Sequence, residues 1–151
     1  MHSCPPQMTM WAGAVAPRGR AMSWFGKDKP REVWEEPVGS PLGDIEAAER
    51  IRNICRSVAD SAAAVAARAE GGKSVQKKFE LDKTRYERAA RAAMETAMKL
   101  SDELMRDAAV REIVDLCLMA NDQKTAKILF RAIQAPSIRD GVLRDHPELR
   151  P

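Results

Sequence analysis

Two stripes of small and apolar residues, one on each side of a Gly71-Gly72 pair, constrain this chain more than any other feature in it. The first runs through Ile51, Cys55, Val58, Ala62, Val65 and Ala69. The second runs through Phe79, Tyr86, Ala90, Ala93, Ala97, Leu100 and Leu104. Steps of three, four and seven residues put each series on one face of an α-helix. Alanine at so many of these positions lets two helix axes approach closely. Adjacent glycines cost about 1 kcal/mol each inside a helix, yet they readily take the backbone conformations that close one. The link between the stripes is therefore short, and a short link folds the second helix back beside the first. The expectation is an all-α chain built on a long antiparallel helical hairpin. One arm covers residues 42–70 and the other 75–105, roughly 40 and 45 Å at 1.5 Å per residue. Asp44 and Ser74 are the candidate N-caps.

Beyond the hairpin, Asp107 is expected to mark a bend or a fresh cap. Ala109, Val110, Ile113, Val114, Cys117 and Leu118 then form a broader apolar face. Asn121-Asp122 punctuates the chain and can cap a further helix whose inward residues are Ala126, Leu129, Phe130 and Ile133. Residues 108–133 resemble a single helix-turn-helix unit of the tetratricopeptide kind, without that family's repetition at a fixed period. Two shorter helices thus complete a bundle over residues 42–134. Residues 1–41 hold six of the nine prolines and read as an irregular or flexible arm. Residues 135–151 read as a tail, in which Ile138, Val142 and Leu143 support at most one short helix. Alanine buries little area, so a two-helix hairpin alone is marginal. Its remaining stability has to come from the C-terminal helices or from a second copy of the chain, which makes dimerisation a further expectation.

The side chains offer little for catalysis. The two histidines, His2 and His146, lie near the ends, and a histidine-activated nucleophile needs its histidine held in a structured pocket. Gly71-Gly72-Lys73-Ser74 carries the lysine and serine of a phosphate loop but not its upstream glycine spacing or preceding strand. Most acids stand opposite bases at helical spacing, as in Glu46 with Arg50 and Glu95 with Lys99, the pattern of a solvated face. Neither Glu-x-x-His pairs nor several inward acids occur, so no metal and no cofactor is expected. Cys4, Cys55 and Cys117 form neither a C-x-x-C pair nor a disulfide framework, which fits a reducing, cytoplasmic setting. No stretch reaches the roughly 18–20 apolar residues of a membrane span. The apolar run 8–16 lacks the basic residues of a secretory leader, and a start at Met22 would make residues 1–21 an upstream extension.

Two surfaces remain. The net charge of +3, from 25 basic and 22 acidic residues, is assigned to the second long helix: residues 71–106 carry nine bases and six acids, whereas residues 107–134 carry four of each. Lys77, Lys78, Arg85, Arg88 and Arg91 are the candidate contacts for an anion or nucleic acid. Large aromatics are common interface anchors. Trp24, Phe25 and Trp34 in the N-terminal arm are accordingly the candidate partner-binding residues. Together these features favour a non-enzymatic protein-protein interaction or assembly protein, acting through self-association or on another helical protein. The alternative is a small helical nucleic-acid-associated regulator.

Overall fold

The computed structural model describes residues 30–38, 41–68 and 70–151, and the chain divides into two compact units between Glu32 and Val33. The second unit is all-helical: α1 (Asp44–Ser57), α2 (Ala59–Ala67), α3 (Lys73–Ala97), α4 (Glu103–Met119), α5 (Gln123–Ala132) and α6 (Pro136–Asp145), with single 3₁₀ turns at Val33–Glu35 and Pro147–Leu149. Helices α1 and α2 together form the first arm of the expected hairpin. Helix α3 is the returning arm, and α4 and α5 are the two shorter helices that complete it.

Along the first arm Ile51, Cys55, Val58 and Ala62 are buried as the stripe places them and Val65 is half-buried, while Ala69 lies outside the described residues. Ile51, Val58 and Ala62 have no exposed surface, and neither do Ala89, Ala93 and Ala97 on α3. The second stripe is offset from expectation at three points. Ala89 is the buried residue and Ala90 only half-buried; Phe79 is half-buried; Leu104 is exposed. The cause of the last is a helix boundary. Helix α3 stops at Ala97 instead of continuing to Met105, so Leu104 falls in the first turn of a new helix with its own register. The cap of that helix is Asp102, whose carboxylate accepts from the Met105 amide at 2.8 Å.

Three further expected helix ends differ. Gly43 is the N-cap residue of α1, and Asp44 is freed to reach across the fold. Gly72, two residues ahead of the expected cap at Ser74, is the N-cap residue of α3. Asp107 neither bends nor caps anything. It is 2% exposed on α4, and its Oδ2 accepts from the amides of Gln134 and Ala135 at 2.8 and 2.7 Å, holding the junction between α5 and α6. At the end of α4 the chain follows expectation, since Asn121 takes the left-handed conformation (φ 61°) and Asp122 caps α5 by accepting from the Thr125 amide at 3.1 Å. The Asn121 amide donates to Leu118 and the Asp122 amide to Cys117, the paired bonds of a Schellman closure.

The first arm carries a break that the periodicity does not reveal. Val58 sits between α1 and α2 with φ −114° and ψ 10°. The Ser57 hydroxyl donates back to the Ile54 carbonyl at 2.7 Å, a local bond that competes with the helix and bends it. The Ser57 carbonyl, turned out of the helical ladder, accepts instead from Arg85 Nη2 at 2.8 Å. A third layer of packing supplies what the alanine seam lacks. Ile113, Val114 and Cys117 of α4 are fully buried against the hairpin, and burying a branched aliphatic side chain stabilises by about 1.5–3 kcal/mol. The core continues beyond residues 42–134. Val33 and Trp34 pack against it on one side, and Val142 and Leu149 are buried in it on the other. On α6 the buried Gly141 faces the guanidinium of Arg111 on α4, where a Cβ would lie 3.0 Å from Arg111 Nη1.

Candidate functional site

The five basic residues singled out on the second helix do not form one free surface. Arg85 is half-buried and points inward. Its guanidinium donates to the Ser57 carbonyl and, at 3.0 Å, to Ser61 Oγ, while the indole ring of Trp34 lies 5.9 Å from it. The Ser61 hydroxyl, 3% exposed, donates in turn to Asp82 at 3.1 Å. Lys78 is the same carboxylate's other partner, at 3.1 Å. Arg88 is engaged by Glu35 at 2.9 Å. Lys77 and Arg91 are exposed and form no ion pair among the described residues.

Of the three aromatic candidates, Trp24 and Phe25 lie outside the described residues. Trp34 is half-buried in the first 3₁₀ turn, packed against the core. Arg50 ties down that turn, donating from Nη2 to the carbonyls of Trp34 and Glu36 at 3.2 and 3.0 Å. The Trp34 indole N–H is buried without a hydrogen-bond partner.

Next to this turn is a groove of about 720 Å³ lined by Trp34, Val38, Leu42 and Ala92, with Glu95 and Lys99 at its rim. At one end of the bundle α1 starts beside the point where α3 stops and α4 starts. Asp44 fastens that end: its carboxylate accepts from the Ser101 amide at 3.0 Å, the Ser101 hydroxyl at 2.7 Å and the Asp102 amide at 2.8 Å. These bonds, the Ser101 amide first, hold the Asp44 carboxyl below its ordinary value. Close to the clamp residues along the chain, large apolar side chains are left in water: Ile45 (65% exposed), Met98 (73%) and Leu104 (58%), and Val38 and Leu42, which line the groove, are exposed as well.

A second surface lies on α5. The interior face of this helix is Ala126, Leu129 and Phe130, and the opposite stripe is Lys124, Lys127, Ile128 and Arg131, all exposed. The charge balance over residues 107–134 conceals it. The four acids of that stretch are engaged at structural positions: Asp107 at the α5–α6 junction, Glu112 with Arg52, Asp115 with His146, and Asp122 on the Tyr86 hydroxyl at 3.0 Å and the Thr125 amide. Three of the four bases stand on α5 and form no ion pair among the described residues; the fourth, Arg111, pairs with Asp145. The signal was present in the sequence as bases and an isoleucine at positions i, i+3, i+4 and i+7. Counting charge by segment instead of by face obscured it.

Cys55, Cys117 and Tyr86 are shut in. Burial, reinforced by Glu112, pushes the Cys55 thiol up to about 12, and burial likewise pushes Cys117 up to about 11. Thiolate is the reactive form, so both cysteines are inert at neutral pH. Burial also raises the Tyr86 hydroxyl. His146 is better placed than an exposed end residue: its side chain is 25% exposed, with Nε2 2.8 Å from Asp115 and Nδ1 3.7 Å from Glu148. It joins the C-terminal turn to α4. Among the described residues, no group of three or more histidine, cysteine, aspartate or glutamate side chains is arranged to hold a metal ion, and no helix is long and apolar enough to cross a membrane. Compared with known proteins, the chain matches no protein-family model, no curated protein and no solved structure.

Proposed function

We propose that the protein is a non-enzymatic assembly module that self-associates through the apolar end formed by α1, α3 and α4. The observation that carries this reading is that Val38, Leu42, Ile45, Met98 and Leu104, five of the eight large apolar side chains that the described residues leave exposed, all lie within six residues along the chain of Asp44 or of its partners Ser101 and Asp102. They present on the order of 500 Å² of apolar surface, near the upper end for the largest patch on a monomer. Two such patches face to face cover about 1,000 Å², where specific interfaces begin.

The rim favours a second copy over a charged partner. Glu95 and Lys99, both exposed, flank the groove one helical turn apart. A two-fold axis brings the acid of one copy to the base of the other, as an isologous interface requires. A nucleic-acid reading based on α3 has less support, because Lys78, Arg85 and Arg88 are already engaged within the fold.

Sedimentation equilibrium over a wide concentration range tests the proposal. The intact chain should reach a dimer mass, and Ile45→Glu with Met98→Glu should hold it at the monomer mass with unchanged far-ultraviolet dichroism. A wild-type chain that stays monomeric at about 100 μM, well above the affinities typical of specific interfaces, refutes it.

A further inference from the structure

We propose that the exposed face of α5, together with the cleft between α3 and α5, binds an acidic amphipathic segment of a partner protein. No residue of this surface belongs to the apolar patch on α1, α3 and α4, so the two proposals stand separately.

Charge complementarity argues for the sign of the partner. Between Gln123 and Ala132 there are three bases and no acid, and Lys124, Lys127 and Arg131 share one exposed stripe. They span seven residues, about 10 Å of helix. An acidic helix with carboxylates at i, i+3 or i+4, and i+7 matches that length base for acid. Arg91 on α3 adds a fourth unpaired cation across the cleft.

The apolar element decides between partner classes. Ile128 is 57% exposed within the cationic stripe. Beside it runs a cleft of about 430 Å³ lined by Ala90, Met94, Thr125 and Leu129, with Glu87, Arg91 and Asp122 also along it, the Asp122 carboxylate being taken up by the Tyr86 hydroxyl and the Thr125 amide. A cleft of this size takes one or two large aliphatic side chains, which an amphipathic helix supplies and a phosphate backbone does not. Unstacked bases need an aromatic platform. Tyr86, the aromatic residue in the lining of the cleft, is 4% exposed and presents no open ring face. A bilayer is flat and leaves a cleft unfilled. Glu87 at the edge sets the limit on the field, so the contact should be moderate and salt-sensitive, with the apolar insertion fixing register.

The test is fluorescence anisotropy of the full chain with a labelled helical peptide of about sixteen residues, long enough to hold some helix by itself. It carries glutamate at i, i+3 and i+7 and leucine at i+4. Three controls accompany it: lysine in place of the glutamates, serine in place of the leucine, and a mixed-sequence oligonucleotide. Saturable binding of the acidic peptide is expected, weakened at least about tenfold by Lys124→Glu, Lys127→Glu and Arg131→Glu together, and several-fold by Ile128→Ser. These positions are exposed, and far-ultraviolet dichroism checks the fold; if the triple variant loses helicity, Lys127→Glu alone carries the comparison. The proposal is overturned if the acidic peptide binds no better than its lysine counterpart, if charge reversal leaves binding unchanged, or if the oligonucleotide binds more tightly than the peptide.

Discussion

Replacing Asp107 with alanine should cost about 3 kcal/mol, because one buried oxygen of this side chain satisfies two backbone amides. The Gln134 and Ala135 amides lie past the last turn of α5 and just ahead of Pro136, which begins α6, and they donate at 2.8 and 2.7 Å. A hydrogen bond to a charged group is worth roughly 1.5–3 kcal/mol, so two lost together represent about 3–6 kcal/mol. Part of this is recovered because a carboxylate 2% exposed no longer has to be desolvated. Asp107→Asn separates the acceptor from the charge, since an amide oxygen can take both donors; it should cost only about 1 kcal/mol. Urea unfolding followed by dichroism at 222 nm reads the difference. With a slope of about 1.5 kcal/mol per molar, the alanine variant loses about 2 M from its midpoint and the asparagine variant less than 1 M. Amide hydrogen exchange at Gln134 and Ala135 should accelerate in the alanine variant alone. Equal midpoints for the two variants, or an alanine variant within about 1 kcal/mol of the parent, refute the reasoning that the shared oxygen holds this junction.

The seam and the clamp make two further predictions. Ala93→Leu places three extra carbons where no surface is exposed, and should lower stability by about 1–3 kcal/mol in thermal or urea unfolding, whereas Ala63→Leu on the exposed side of α2 should change it little. The Asp44 carboxyl is held below 3.8 by its bonds to Ser101 and Asp102, so its folded form binds its proton less readily than the unfolded chain. Its contribution is therefore complete above the unfolded value and lost as pH falls through the depressed folded value. Asp44→Asn should flatten the dependence of the unfolding midpoint on pH below about 4, and an unaltered slope would show that the clamp does not form in solution.

The parts of the fold legible in the sequence are those fixed by local spacing. Ile51, Val58, Ala62, Ala93 and Ala97 could be placed on a common seam because helical periodicity is a local property, and Gly71-Gly72 ended the arm because two glycines weaken any helix. The break at Val58 was hidden, since the Ser57 carbonyl beside it is taken up by a guanidinium 28 positions further on, at Arg85. Asp107 read as a boundary residue because aspartate usually is one; that its carboxylate is buried under a junction 27 residues later is a tertiary fact. The start of α4 was within reach: Ser101-Asp102 followed by Glu103 is a good capping sequence, but it was overridden by an apolar stripe that ran on to Leu104. For the surfaces, composition points to α3, whose segment holds the excess of bases. Charges cancel in a count whether they are solvated or consumed, and only the fold reveals that the acids near α5 are engaged elsewhere.

The docking of Val33–Glu35 and Pro147–Leu149 has a consequence for how this bundle comes apart. A helical bundle whose outermost helices hang on loosely can fray from its ends, shedding one rod at a time. Here each end of the second unit finishes in a short turn pinned to the core, by Arg50 on the Trp34 and Glu36 carbonyls at one end and by the buried Leu149 at the other. Neither end offers a loose thread to pull. Opening of this unit should begin in its middle, where the five residues between α2 and α3 carry both glycines of the hairpin bend, and a protease that nicks this unit should find its first cut there and leave two fragments still held together.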